Sequence, residues 1–143
     1  MTPPMHTANQ ARCSCGALGV ETHAEAQFII ACHCRACQRR SGGAFGAGAY
    51  FDRAAAEVLG DPREYARTPE AGGTFRSYFC QTCGSTVFWT IDDHPELIGI
   101  ALGTFETPLT GVAVHSLYER TKLDWIALDA AALHSPAGYT DAT

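Results

Sequence analysis

The sequence has little positive charge and no long apolar run. Lys and Arg number 10 in 143 residues, against 15 Asp and Glu, and the formal net charge is −5. The basic residues form no stripe of the kind that nucleic-acid binding requires, so DNA and RNA are not expected partners. The longest apolar runs, such as 28–31 and 97–102, are far shorter than the ~20 residues of a membrane-spanning helix. We therefore expect no membrane partner either.

No secretory signal is readable, so none is expected. The amino terminus MTPPMHTANQ has no basic region followed by an apolar one, so the expected compartment is the reducing cytoplasm. Cysteines in that compartment more often bind metals or do chemistry than form disulfides. The composition, 46% hydrophobic and 17% charged, is typical of one globular domain with one core.

Cysteine is the residue that the sequence has in excess. Seven cysteines form three groups, which are Cys13 and Cys15; Cys32, Cys34 and Cys37; and Cys80 and Cys83. An odd number, with some pairs only one residue apart, does not suit a disulfide framework. Short Cys-x-Cys and Cys-x2-Cys pairs instead present two thiolates to one zinc ion, with Zn–S distances near ~2.3 Å. Two such pairs make one closed site, and the glycines in CSCG and CQTCG fit a chain that turns sharply under a metal.

The group of three, Cys32, Cys34 and Cys37, predicts a different kind of site. Seven ligands cannot complete two four-ligand sites, and the local trio is the natural candidate for the incomplete one. Structural zinc normally has four protein ligands, whereas three ligands and an open position are typical of a catalytic site. His33 is the alternative fourth ligand. Because it lies between two ligands, we expect its side chain to point away from the ion and to pack or support the site instead.

Other candidate residues follow the trio or lie far along the chain. Arg39 and Arg40 are candidates for binding a substrate carboxylate through paired hydrogen bonds, although a solvated charged turn is the alternative. His115 is a candidate for proton transfer, with a structural role as its alternative. Glu119 is expected to pair with Arg120 or Lys122, and His94 to lie in an exposed loop. The tryptophans, Trp89 and Trp125, are expected in the core.

The spacing of glycine, proline and apolar residues predicts a mainly β domain over 11–130, with mobile tails over 1–10 and 131–143. A helical turn is expected from Cys34 to Arg40, and another helix over Asp52–Gly60, with Asp52 as its cap. The segment 75–91 is predicted to be a hairpin that carries metal ligands at its tip. The predicted strands are 18–22, 27–31, 45–51, 75–79, 85–91, 97–102, 112–118 and 125–128.

Five motifs together resemble one family. CSCGALGVE, CHCRACQRRSGGAF, FCQTCGSTVFW, IGIALGTFE and VHSLYERTKLDWIAL occur in an order similar to that of the glutathione-dependent formaldehyde-activating enzymes, also called the GFA or CENP-V domain. The resemblance spans 11–128 and implies a small β fold like the Mss4-like or β-tent architecture, with two zinc ions. It implies that Cys13, Cys15, Cys80 and Cys83 hold a structural zinc. It also implies that Cys32, Cys34 and Cys37 form the catalytic site.

The resemblance further implies a carbon–sulfur lyase that joins glutathione to formaldehyde as S-hydroxymethylglutathione. A zinc ion with three thiolates is a weak activator of water, so ionising and positioning a thiol is the role that suits it. The expected partners are therefore a small-molecule thiol and an aldehyde. Two alternatives remain open: an enzyme of the same fold with another substrate, and a non-catalytic zinc module that binds a partner protein.

Overall fold

The computed structural model describes residues 8–139 and is mainly β, as predicted. In this part of the chain the helical segments are α1 (Arg35–Ser41) and the 3-10 turns Arg53–Ala55, Leu102–Thr104 and Glu119–Thr121, and no helix is long and apolar enough to cross a membrane. The strands are β1 (Asn9–Arg12), β2 (Gly19–Thr22), β3 (Phe28–Cys32), β4 (Gly46–Asp52), β5 (Ala56–Leu59), β6 (Pro62–Arg67), β7 (Phe75–Cys80), β8 (Thr86–Ile91), β9 (Leu97–Ala101), β10 (Val114–Leu117) and β11 (Leu133–His134).

The strands form two sheets. The small sheet has the order β1-β2-β5, and the large one has the order β11-β10-β3-β4-β9-β8-β7-β6. Strand β10 runs parallel to β3 and β11, whereas the other neighbours in the large sheet are antiparallel. The predicted hairpin over 75–91 is confirmed as the β7–β8 pair.

Both faces of the large sheet carry apolar clusters. Ile29, Phe51 and Ile100 point to one face and pack with Ala11 and Val20 of the small sheet in the main core. Because side chains alternate along a strand, their neighbours in sequence point to the opposite face. A second apolar cluster, built around Tyr50, Phe75 and Trp89, lies there.

The short helix α1 begins directly after Cys34, as predicted, and contains Cys37. Cys34 is its N-cap, and the Cys34 Sγ atom accepts a hydrogen bond from the backbone N–H of Cys37 at 3.3 Å. The helix ends at Gly42, which adopts a left-handed conformation with φ of 67°. Two cysteines of the trio are thus held by the start of one helix.

The second predicted helix, Asp52–Gly60, is wrong. Asp52 does act as a cap, since its Oδ1 accepts from the N–H of Ala54 at 3.1 Å, but the turn that follows is only Arg53–Ala55. The chain then continues as β5 and pairs with β2, with Val58 opposite Val20. Pairing with a sheet edge satisfies the backbone of this short segment, whereas an isolated helix of that length is marginal in water.

The predicted strand at 125–128 and the core position of Trp125 are also wrong. Trp125 is 71% exposed, and its segment forms turns. The edge of the large sheet is formed instead by β11, which pairs with β10. Trp89 does lie in the core, with 3% of its surface exposed.

The predicted mobile tails, 1–10 and 131–143, fall partly outside the described residues, since 1–7 and 140–143 are not among them. Asn9 and Gln10 belong to β1, and β11 lies within the carboxy-terminal tail. Ser135 is 1% exposed and donates a hydrogen bond to the carbonyl oxygen of Gly138 at 2.6 Å. The boundaries of the folded domain stay a prediction.

Candidate metal centres and the adjoining cleft

Four cysteines converge from two distant parts of the chain. The Sγ atoms of Cys13, Cys15, Cys80 and Cys83 all lie within 4.8 Å of one another. The Sγ atoms of Cys13 and Cys15 are 3.7 Å apart, and those of Cys15 and Cys80 are 3.6 Å apart. Sulfur atoms around a tetrahedral zinc with Zn–S of ~2.3 Å would be ~3.8 Å apart. The donor set therefore fits zinc.

Two similar turns present these sulfur atoms. In the first turn the N–H of Gly16 donates to the carbonyl oxygen of Cys13 at 3.1 Å, and in the second that of Gly84 donates to Cys80 at 2.9 Å. Gly16 has φ of 82° and Gly84 has φ of 78°, a region that favours glycine. The sharp turns predicted from CSCG and CQTCG are therefore confirmed.

The four-cysteine group lies where the two sheets meet. Cys13 directly follows β1 of the small sheet, and Cys80 ends β7 of the large sheet. Both are nearly fully buried, at 5% and 3% exposure. The Ser85 hydroxyl lies 3.1 Å from that of Ser14 and lowers the pKa of the nearby Cys83 to about 5 by hydrogen bonding. A metal ion here would join the two sheets.

The second group is the trio Cys32, Cys34 and Cys37, with all Sγ atoms within 4.8 Å of one another. Cys32 ends β3, Cys34 caps α1 and Cys37 lies in the first turn of that helix. Hydrogen bonds from the Cys32 and Cys37 thiols lower the pKa of Cys34 to about 2, while the interaction with Cys34 raises the pKa of Cys32. Three converging thiol groups are a donor set that fits a soft metal ion.

His33 lies apart from the trio's sulfur atoms, as its place between two cysteines predicts. Its side chain is fully buried, and Nε2 forms a 2.9 Å hydrogen bond with the Ser116 hydroxyl. Burial lowers the pKa of this imidazole. The His33 carbonyl oxygen accepts hydrogen bonds from Gln38 Nε2 at 2.9 Å and from Thr121 Oγ1 at 2.7 Å. Within residues 8–139, His33 is not part of either metal-binding group.

A large cleft opens beside the trio. Its volume is about 770 Å³, and all three cysteines of the trio line it. The cleft runs over the second face of the large sheet, along the apolar cluster around Tyr50, Phe75 and Trp89. Concave apolar sites of this size are typical of small-molecule binding. The trio therefore faces a space that a substrate can enter.

The two candidate arginines lie in different places. Arg40 lines the cleft and stacks on the Trp89 ring, with its Cζ atom 4.1 Å from the ring centroid. A Cβ atom on Gly46 would lie 2.5 Å from Arg40 Nη2 and 3.1 Å from Cys37 Cβ, so the guanidinium is close to the trio. Arg39 is exposed on α1 and is not among the residues that line the cleft.

Arg35, Arg67 and Arg120 also line the cleft. Arg67 ends β6, and its Cζ atom lies 4.5 Å from the centroid of the Phe75 ring. Its charge helps to lower the pKa of Cys34, after the larger effect of the hydrogen bond from Cys32. Within residues 8–139, neither Arg67 nor Arg40 has an ion-pair partner.

His115 lies on the same wall of the cleft as Cys32. In the β3–β10 pair, His115 is opposite Ile30 and Leu117 is opposite Cys32, so His115 is two residues, or ~6.6 Å, from the level of Cys32. Its ring stacks on Phe28 at 5.4 Å, and Nδ1 lies 2.8 Å from the Tyr139 hydroxyl. The imidazole therefore borders the cleft but not the trio itself.

The expected pairing of Glu119 with Arg120 or Lys122 is wrong. Glu119 Oε1 lies 2.6 Å from His134 Nδ1, because β11 brings that histidine alongside. Arg120 pairs instead with Glu70. His94 is exposed, as predicted, and lies 3.5 Å from Glu96.

The comparisons with known proteins agree with this arrangement. The family model for the glutathione-dependent formaldehyde-activating enzyme matches residues 8–121, and the chain belongs to this family. A crystal structure described as a Rhodobacter sphaeroides protein is similar in fold, with a TM-score of 0.55 and 21% identity. That match covers 73% of this chain and 98% of the other. No curated protein sequence matches this chain.

Proposed function

We propose that this protein catalyses the addition of a thiol, glutathione or a similar one, to a small aldehyde. A thiol sulfur forms a bond to the carbonyl carbon, the C=O π bond breaks, and the thiol proton ends on the new hydroxyl oxygen. No oxidant or reductant is needed. The observation that carries the proposal is the trio, Cys32, Cys34 and Cys37, which opens onto a cleft in a chain of this family.

The trio is proposed to hold one zinc ion, and the group at Cys13, Cys15, Cys80 and Cys83 to hold another that is structural. A zinc ion held by three cysteines supplies a soft Lewis acid that keeps an incoming thiol ionised near neutral pH. The protein supplies the position of the reactants, which alone contributes strongly to a bimolecular addition.

Arg40 and Arg67 are proposed to hold carboxylates of the thiol substrate. Both guanidiniums border the cleft close to the trio, and both stack on aromatic rings that fix their orientation. Hydrogen bonds between a guanidinium and a carboxylate are strong and directional. Glutathione carries two carboxylates, so two arginines on the floor of the cleft, beside the trio, suit it. Arg39, exposed outside the cleft, has no such support.

The proton that leaves the thiol can pass to solvent, and the new hydroxyl oxygen can take one back from solvent. His115 is proposed as a relay for this proton, because it borders the cleft and contacts Tyr139. The Tyr139 hydroxyl, 2.8 Å from His115 Nδ1, can orient the imidazole.

The test is NMR exchange spectroscopy of glutathione and formaldehyde, with and without zinc-loaded protein. We expect faster exchange between free glutathione and its hydroxymethyl adduct, and we expect Cys37→Ala to abolish the acceleration. A rate equal to the uncatalysed one would overturn the proposal. X-ray absorption at the zinc edge distinguishes the enzyme from the alternative, a non-catalytic zinc module. In a non-catalytic module, added glutathione should leave the sulfur coordination of the zinc unchanged.

A further inference from the structure

We propose that the aldehyde this protein uses carries an apolar group, aromatic or of similar bulk, rather than a single carbon. The inference rests on the proposed function, because it names the carbonyl substrate of the same site. The inference is based on the residues that line the cleft next to the trio. Three observations carry it: the side-chain alternation of β3, the arginines stacked on the aromatic floor and the volume of the cleft.

Strand β3 connects the trio to an apolar wall. Phe28, Ile30 and Cys32 line the cleft, whereas Ile29 and Ala31 are buried on the other face of the sheet. Residues two apart on a strand point to the same side. A molecule that reaches the Cys32 sulfur therefore lies next to Ile30 and, one step further, next to the Phe28 ring.

The floor of the cleft is aromatic, but Arg40 stacks on Trp89 and Arg67 stacks on Phe75, so the apolar surface that a ligand can reach is the wall of the half-buried Phe28 and Ile30. Phe75 and Trp89 line the floor, with their ring centroids 6.1 Å apart. The Trp89 Nε1 atom donates to the Tyr50 hydroxyl at 2.9 Å, so its one donor is already used. The apolar wall gains little from a hydrated one-carbon aldehyde and much from an apolar group that replaces water.

The volume agrees with the lining. A one-carbon aldehyde is comparable in size to one or two water molecules, each with a share of roughly 30 Å³, against a cleft of about 770 Å³. The charged ends of a thiol such as glutathione suit Arg40 and Arg67 beside the trio. The apolar wall of Phe28 and Ile30 is then left for the group attached to the aldehyde carbon.

Addition to such an aldehyde is balanced in the same way. The thiol sulfur bonds to the carbonyl carbon, the π electrons go to oxygen, and that oxygen takes the proton that the thiol lost.

Burial of an aryl group in a complementary pocket changes selectivity by about tenfold or more, since even one methylene changes it by ~10–200-fold. We therefore expect phenylacetaldehyde to have a higher kcat/KM than formaldehyde by at least about tenfold.

Binding without chemistry is the first test. The sequence has two tryptophans, Trp89 and Trp125. Because Trp125→Phe removes the exposed one, the tryptophan fluorescence of this variant comes from Trp89 and reports on the cleft. Unreactive alcohols stand in for the adducts: 2-phenylethanol should shift Trp89 emission saturably, and methanol should not. Ile30→Thr should weaken 2-phenylethanol binding about tenfold. The control Val58→Thr makes the same kind of change on a strand outside the cleft and should leave binding unchanged.

The kinetic test uses exchange NMR with glutathione and each aldehyde in turn. Preference for phenylacetaldehyde, together with saturable 2-phenylethanol binding, supports the inference. Acceleration of formaldehyde exchange alone, with no saturable alcohol binding, overturns the inference and leaves the proposed function standing. Saturable alcohol binding without acceleration of either aldehyde overturns the proposed function but supports the apolar ligand class. If Ile30→Thr fails to fold, the affinities of methanol and 2-phenylethanol for the protein with the unaltered cleft decide instead. Equal affinities for the two alcohols overturn the inference.

Discussion

Trp89 lies flat against the backbone of Gly99, its partner across the β8–β9 pair. A Cβ atom built on Gly99 would be 2.1 Å from Trp89 Nε1, and one built on Gly48 would be 2.1 Å from Cζ2 of the same ring. The indole therefore occupies space that any side chain at these two positions would fill. This contact places the ring at the floor of the cleft, where it meets Arg40 and Tyr50.

Gly99→Ala is expected to destabilise the protein by about 1–3 kcal/mol, because the ring must move and a well-packed cluster becomes overfilled. Movement of the ring also strains the hydrogen bond from Trp89 to Tyr50. Denaturant unfolding of the zinc-loaded protein measures the change. Gly103→Ala is the matched control, because a Cβ there meets nothing within 4 Å. Equal stability of the two variants would contradict the packing argument.

The four-cysteine group predicts a second effect on stability. Because Cys13 and Cys15 follow the small sheet while Cys80 and Cys83 lie at the β7–β8 turn of the large one, loss of the proposed zinc would remove a link between the sheets. A structural zinc of this type contributes on the order of 10 kcal/mol to folding. We expect Cys80→Ala to be molten or insoluble, whereas Cys37→Ala stays folded and binds one zinc instead of two.

Circular dichroism and zinc analysis on the same preparations check this pair of variants. Both substitutions remove one buried sulfur, at 3% exposure for Cys80 and 6% for Cys37, so burial alone does not separate them. Equal loss of folding would show that the trio is also structural. Retention of two zinc ions by Cys37→Ala would remove that cysteine from the ligand set.

Sequence reasoning located the strands that carry strong apolar patterns but not those defined by pairing alone. The strand over 97–102 is marked by its own apolar run, and the structure places β9 there. The segment Asp52–Gly60 reads as helix because its three alanines and Glu57 favour one, and only pairing with β2 makes Ala56–Leu59 a strand. Trp125 shows the same limit, because exposure depends on which neighbouring segments cover a side chain.

The cysteine groups were predictable from spacing, but the cleft was not. A metal group with short spacing is largely local, so Cys32, Cys34 and Cys37 are recognisable along the chain. The cleft combines β3, β4, β7 and β8, and their order in the sheet is a tertiary property. Phe28 and Ile30 could have been found from their two-residue spacing to Cys32, whereas Trp89 reads only as core. Arg67 carries no local signal.

Substitution of His33 distinguishes a buried residue that supports the fold from a zinc ligand. His33→Ala leaves the Ser116 hydroxyl, which is fully buried, without its partner and creates a cavity, at a cost of about 2–4 kcal/mol. Zinc content should nevertheless remain two per chain. Ser116→Ala is the companion variant and should cost about 1–3 kcal/mol through the same hydrogen bond. A folded His33→Ala protein with one zinc would identify the imidazole as a ligand.

Arg40 is expected to act on the thiol substrate rather than on the fold. Its guanidinium stacks on Trp89 beside the trio, and its buried Nε has no hydrogen-bond partner within residues 8–139. Arg40→Ala should raise KM for glutathione about 10- to 100-fold, the value of a charge-assisted hydrogen bond. Arg40→Lys should recover only part of this, because an ammonium keeps the charge but not the planar stack. Arg63→Ala, on β6 outside the cleft, is the control and should leave KM unchanged. Steady-state exchange rates at varied glutathione concentration give KM and kcat for each variant. A fall in kcat with unchanged KM would place Arg40 in the chemical step instead.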